Sequence, residues 1–330
     1  MKRTIYIFSD GEIKRKGNTI YFESSEGKKY VPIENTQEIL IFGEVSLNKR
    51  LLEFLNENEI VVHFFNYYGF YIGSFYPREH LNSGYMILKQ AEHYLDTTKR
   101  LRLAKKFVLG AVKNIIKVLE YYNARGKPLQ EIIERIANLE PSISISNSIE
   151  NLMAIEGNIR DHYYDSFNII IENENFTFEG RTRKPPKNMI NALISFSNSL
   201  VYVVCLSEIY HTHLDPRIGF LHSTNMRRFT LNLDVAEIFK PIIGDRLIFS
   251  VINKGIIKPS HFEEKLNGIV LNEKGKQLFV QEFDERLKTT IKHRKLGRHV
   301  SYRELIRLEL YKLQKHLIGE EEYTPFVAWW

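Results

Sequence analysis

The chain has 330 residues, 43% apolar and 26% charged, a balance that supports packed cores and excludes a fibrous repeat or a largely disordered chain. Lys and Arg outnumber Asp and Glu by 46 to 40, which permits an anionic partner without demanding one. The single cysteine, Cys205, excludes an internal disulfide and a cysteine-built zinc site.

From Thr4 to about Phe75, short β-rich runs (TIYIF, TIYFE, KYVPI, EILIF, IVVHFF, FYIGSFY) alternate with Gly, Asn, Ser and charged residues. The opening MKRTIYIFSDGEIKRKG lacks the apolar core of a signal peptide, so a cytoplasmic protein is expected. Gly17-Asn18 and Glu26-Gly27 fall where hairpin turns belong, and a helical insert is predicted at about Asn48 to Asn56. After Pro77 the apolar spacing changes to three and four, which predicts helices over Gly84 to Tyr122, Leu129 to Leu139, Asn147 to Ile170, Asn188 to His211, Asp234 to Asn253 and Lys274 to Ile318. Pro141, Pro185-Pro186, Pro216 and Pro259 are read as breakers between them.

The expected class is therefore α+β with two domains, a β-rich domain over residues 1–76 and a larger all-α domain over 77–330. Ile190 to Tyr210 is apolar for about the length of a membrane span. Asn191, Ser195, Ser197, Asn198, Ser199 and Glu208 would be costly in lipid, so the segment reads as a buried helix and no membrane partner is expected. The GEEEYTPFVAWW tail reads as a loose end whose paired Trp329 and Trp330 can dock on something.

Four residues carry candidate metal chemistry. Glu156 borders the apolar stripe of Leu152, Ile155 and Ile159, although a solvated glutamate paired with Arg160 one turn on fits the same spacing. His222 follows LDPRIGF, where Gly219 permits a bend; taken alone it reads as a satisfied structural histidine. Twelve residues later Asp234 and Glu237 share one helix face, and two carboxylates among apolar neighbours are either solvated or neutralised by a cation. A thiol-free set of imidazole and carboxylates suits Mg²⁺ or Mn²⁺. A zinc site on His211, His213 and His222 is a competing arrangement, but it leaves the carboxylates without a role.

Basic residues cluster at Lys99 to Lys106, at Arg181 to Lys187 (RTRKPPK) and at Arg286 to Arg303. A solvated helix face explains the first. In the second, the prolines prevent a helix and keep Arg181, Arg183, Lys184 and Lys187 together on a loop, a pattern suited to phosphate. Arg227 and Arg228 lie between His222 and Asp234, which would set cations beside a metal.

Five segments in order, SGYMILKQAEHYLDTTKRLRLAKKFVLGAVKNII, MAIEGNIRDHYY, RTRKPPKNMINALISFSNSLVY, PRIGFLHS and LDVAEIFKPIIGDR, make the sequence resemble the CRISPR-associated endonuclease and integrase family numbered one among the Cas proteins, nearest its I-B-like branch. The resemblance implies an N-terminal β domain that dimerises and a helical domain that bears the metal site. The family's metal-binding glutamate falls on Glu156, its histidine on His222 and its acidic pair on Asp234 and Glu237. Arg181, Arg183 and Lys184 match its basic loop, and Lys240, Asp245 and Arg246 match the segment after the acidic helix, so Lys240 and Arg246 join the expected DNA-binding set.

Relatives with an SFGY segment have a tyrosine where this chain reads Ser195, Phe196, Ser197, Asn198, so no tyrosine role transfers there. The implied activity is metal-dependent endonuclease and integrase chemistry, in which a 3′-hydroxyl of a short DNA duplex attacks a CRISPR repeat. The implied partners are double-stranded DNA (prespacer and repeat), a second copy of the chain and a small ferredoxin-fold CRISPR-associated subunit. A nucleic-acid-binding protein without catalysis is the alternative.

Overall fold

The computed structural model describes residues 2–78, 81, 83–183, 185–224, 229–265 and 268–330, and the chain divides into two compact units, Met1–His80 and Leu81–Trp330. In the first unit the elements are β1 (Arg3–Ile7), β2 (Gly11–Lys16), β3 (Thr19–Ser24), β4 (Gly27–Pro32), β5 (Thr36–Ile41), β6 (Val45–Leu47), α1 (Lys49–Glu57), β7 (Val61–Phe65) and β8 (Tyr71–Phe75). They form two four-stranded sheets, ordered β1-β5-β7-β8 and β4-β3-β2-β6. In the first sheet β1, β5 and β7 run parallel with Ile5 opposite Ile39 and Ile39 opposite Val62, and β8 closes it antiparallel.

The β2 strand escapes the period-2 signal because GEIKRK has one apolar residue. That residue, Ile13, is fully buried and packs in a core with Ile20, Ile39, Leu51, Phe54 and Val62. The α1 start is set by Asn48, whose side chain accepts from Leu51 N at 2.9 Å. Glu38 and His63 are buried in this unit but not abandoned: Thr4 Oγ1 donates to Glu38 at 2.7 Å, and His63 Nδ1 lies 2.7 Å from Ser74 Oγ.

The second unit contains α2 (Gly84–Leu95), α3 (Thr97–Asn123), α4 (Gln130–Ile145), α5 (Ile149–Asp165), α6 (Phe167–Ile170), α7 (Met189–Tyr210), α8 (Leu231–Phe239), a π-helical turn (Lys240–Asp245), α9 (Arg246–Asn253), β9 (Phe262–Lys265), β10 (Gly268–Leu271), α10 (Glu273–Lys288), β11 (Thr290–Lys292), β12 (His299–Ser301) and α11 (Tyr302–Leu317). Its core is mainly helical, and two short hairpins, β9-β10 and β11-β12, which contribute Val270, Leu271 and Val300 to it, are added to the all-α expectation. Three predicted helices divide: a turn at Ser166 splits the segment from Asn147 to Ile170 into α5 and α6. Asp96 caps α3 by accepting from Thr98 N and Lys99 N, which separates it from α2, and the β11-β12 hairpin separates α10 from α11.

Pro141 is no breaker, since it lies inside α4. Both Pro141 and Ala137, whose carbonyl it leaves without a helical donor, are exposed, so water can satisfy that carbonyl. The apolar α7 is a core helix, and 72% of its most apolar 18-residue window is buried. Its buried Glu208 receives Arg303 Nε and Arg307 Nε, each at 2.6 Å, which ties α7 to α11.

The tail is packed rather than loose. Ala328 N donates to Asn114 Oδ1 at 2.8 Å, Tyr323 OH donates to Glu309 at 2.6 Å, and Trp330 Nε1 donates to Tyr302 OH at 2.9 Å.

Candidate metal centre

The site is assembled from α5, the loop before α8, α8 itself and the π turn. Asp234 lies in the first turn of α8 with no exposed side-chain surface. Its Oδ2 accepts from Phe220 N and Leu221 N, and its Oδ1 accepts from His222 N at 3.0 Å and from His222 Nδ1 at 2.8 Å. The carboxylate thereby folds the His222 loop around itself. Gly219 matters here for close approach more than for bending, because a Cβ on it would stand 2.7 Å from the Thr230 carbonyl carbon and 2.9 Å from Asp234 Oδ2.

An ionised carboxylate only accepts, so His222 keeps its proton on Nδ1 and presents Nε2 as a lone-pair donor. Burial disfavours the imidazolium, but the Asp234 hydrogen bond and the charges of Asp234 and Glu237 outweigh it and raise the His222 pKa.

Glu156 on α5 and Glu237 on α8 are brought together by one guanidinium. Arg160 Nε donates to Glu156 Oε1 at 2.8 Å, and Arg160 Nη2 donates to Glu237 Oε2 at 2.6 Å. Lys240 Nζ takes the other oxygen of Glu237 at 2.5 Å. These side chains are 10% to 21% exposed, so the pairs are little screened by water. Burial works against ionisation of Glu237, yet Lys240, Arg160 and His222 together hold its carboxyl well below the usual carboxylate range.

The sequence expectation of Glu156, His222, Asp234 and Glu237 as a cluster thus resolves into two kinds of group. Asp234 has its lone pairs filled by four protein N–H donors, whereas Glu156 and Glu237 face the cationic side chains of Arg160 and Lys240. Among the described residues no three His, Cys, Asp or Glu side chains stand together at metal-ligand spacing. The donor chemistry nevertheless fits a hard divalent cation: two carboxylates that share one cation, and an imidazole whose free nitrogen is fixed by its partner.

The alternative zinc triad gains nothing from the geometry, since His213 is exposed and its Nδ1 lies 2.7 Å from the Leu81 carbonyl. Sequence reasoning noted Arg160 only as a partner of Glu156. Its bridge to Glu237 spans 77 residues and leaves no local signal.

The basic residues sort by what they touch. Arg181 points inward, with its guanidinium on Asn191 Oδ1 at 2.9 Å and Ser195 Oγ at 3.1 Å, and burial lowers its pKa. Arg183 and Lys187 on the same loop are exposed. Lys240 is paired as described. Arg246 packs over the rings of both Tyr121 and Trp330, at 4.2 and 4.1 Å from their centroids. Lys184, Arg227 and Arg228 lie outside the described residues. The π turn carries Asp245 into the interior, and Gly244 within it meets Ser197 so closely that a Cβ would stand 2.7 Å from the Ser197 hydroxyl.

A family model described as CRISPR associated protein Cas1 matches residues 5–285. The CRISPR-associated endonuclease Cas1 2 of Thermodesulfovibrio yellowstonii is 73% identical over 330 residues, the full length of both chains. A solved Cas1 protein from Thermotoga maritima is 47% identical with a TM-score of 0.89, covering 98% of this chain and 99% of that one. A solved casposase bound to integration product shares the fold at a TM-score of 0.89 and 21% identity, over 99% of this chain and 94% of the other.

Proposed function

This chain belongs to the CRISPR-associated Cas1 family, and from that premise we propose that it is a metal-dependent DNA endonuclease and integrase that inserts new spacers into a CRISPR array. The observation that carries the metal site is the Arg160 bridge. It brings Glu156 and Glu237 within reach of one cation, beside a histidine whose tautomer Asp234 sets.

Glu156, Glu237 and His222 would hold Mg²⁺ or Mn²⁺, with Asp234 orienting His222 from behind. A divalent ion bound there supplies a Lewis acid that polarises a phosphodiester and stabilises the leaving oxygen. The protein's own side chains do the rest. Arg183 and Lys187, with Lys184, Arg227 and Arg228, would neutralise backbone phosphates and hold the duplex, without reading bases. A 3′-hydroxyl held at the site then attacks the repeat phosphodiester, and water in the same position would cleave it.

Two such attacks on one repeat call for two sites, so a dimer assembled through the β unit, together with a small ferredoxin-fold Cas subunit, is the working assembly, in the cytoplasm. The test is an integration assay with labelled short duplex, supercoiled array plasmid and Mn²⁺ or Mg²⁺. Wild type is expected to integrate, while Glu156→Gln and His222→Ala bind DNA but neither nick nor integrate.

The ion pairs of Glu156 and Glu237 favour one second reading, a DNA-binding protein in which the acids are structural. Absence of metal-dependent nicking in wild type would select it.

A further inference from the structure

Both oxygens of Glu237 and one of Glu156 carry protein cations: Arg160 spans Glu156 Oε1 and Glu237 Oε2, and Lys240 holds Glu237 Oε1. Any divalent ion that coordinates Glu237 must bind an oxygen that one of them already holds. Arg160 carries a guanidinium that stays charged in proteins. It must move or share.

Charge balance gives the consequence. Two carboxylates with one Arg and one Lys sum to zero. When a divalent ion neutralises the same carboxylates, Arg160 and Lys240 lose their paired anions in a site only 10% to 21% exposed, and the buried Asp245 that acts on both can offset only one of the two charges. The group that fits two released cations beside a metal is the phosphodiester backbone of DNA.

Resting on the metal reading above, we infer that Arg160 and Lys240 are resident counter-ions that a divalent cation displaces, so that metal entry frees them for DNA phosphate. They compete with metal when DNA is absent and cooperate with it when DNA is present. The exchange makes metal and DNA binding thermodynamically coupled through these two side chains, and the coupling is reciprocal.

The experiment is calorimetric titration of full-length wild type, Arg160→Gln and Lys240→Gln with MnCl₂ in the absence of DNA, followed by anisotropy titration of a labelled duplex with and without Mn²⁺. Lys240→Gln is the gentler variant because Lys240 ends on a flexible stem. Melting curves check that each variant is folded.

If the resident cations compete, at least one folded variant binds Mn²⁺ more tightly than wild type by about fivefold or more, and its DNA affinity gains less from Mn²⁺ than that of wild type. Unchanged or weaker Mn²⁺ binding in every folded variant overturns the inference and assigns these residues to supporting the ligands. Wild type that binds no Mn²⁺, or Glu237→Gln that binds it as wild type does, overturns the metal site and this inference with it, a result separable from the previous one.

Discussion

Asp234 and His222 form one hydrogen-bonded unit, but truncating them has different consequences. Asp234→Asn would turn an amide N–H₂ toward backbone donors in a site without solvent access, with an expected loss of about 3 kcal/mol, the scale of a broken buried charge pair. His222→Ala leaves Asp234 with its three backbone donors, so its melting temperature without metal should stay near wild type. Its rise on adding Mn²⁺ should largely vanish. Paired melts with Mn²⁺ and with chelator check both.

Asp245 supplies a pH test. Burial lifts its carboxyl from 3.8 to about 6, with Arg160, Tyr163 and Lys240 opposing. The folded chain therefore binds this proton more tightly than the unfolded chain, and stability falls as pH rises between those values. Asp245→Asn is expected to stabilise by up to about 3 kcal/mol above pH 6, declining toward zero near pH 4, as read from denaturant melts across that range.

The RTRKPPK loop shows how an element divides the work of a charge cluster. Its anchor is Asn191 at the start of α7, which accepts from Arg181 Nη1 and Thr182 N and donates to the Gly180 carbonyl. Arg181 thus holds the loop on the helix, while Arg183 and Lys187 face outward. Replacing Arg183 and Lys187 by Ala should weaken binding to all DNA sequences alike and flatten the salt dependence by about one unit of slope per lost contact. Arg181→Ala should instead lower stability first. Salt-dependent anisotropy titrations with matched melting curves separate the two, and equal slopes in all variants would place the DNA elsewhere.

At the scale of the whole molecule, both units leave large apolar side chains exposed, among them Leu88, Leu95 and Ile145 in the helical unit. The β unit has its own core and four sheet edges, with Tyr30, Tyr67 and Ile72 among its exposed apolar side chains. Residues 1–80 are expected to self-associate at micromolar concentration, and the full chain to sediment as a dimer. Strict monomers in both would count against an integrase with two sites. The aromatic tail of the helical unit is held by its own partners, since the partly exposed Trp330 stacks on Arg246 and reaches Tyr302.

Local sequence was enough for the change from a strand-rich region to a helical one along the chain, because side-chain period is a property of a few adjacent residues. It was enough for the buried character of α7, whose polar residues argue against lipid, and for the resemblance carried by five ordered segments. It misread Pro141, because whether a proline ends a helix depends on whether the freed carbonyl can reach water. It could not distinguish Asp234 from Glu237, three residues apart on one helix.

The tertiary structure distinguishes them: Asp234 faces the 220–222 loop, which fills its lone pairs, while Glu237 faces α5 and receives Arg160 from 77 residues away. The same holds for Arg181, which its basic loop placed with DNA, and for Lys240, which the resemblance placed there; the fold directs them at Asn191 and Glu237. Residue type states what a side chain can bond, and only the packed chain decides which of those bonds the protein itself already makes.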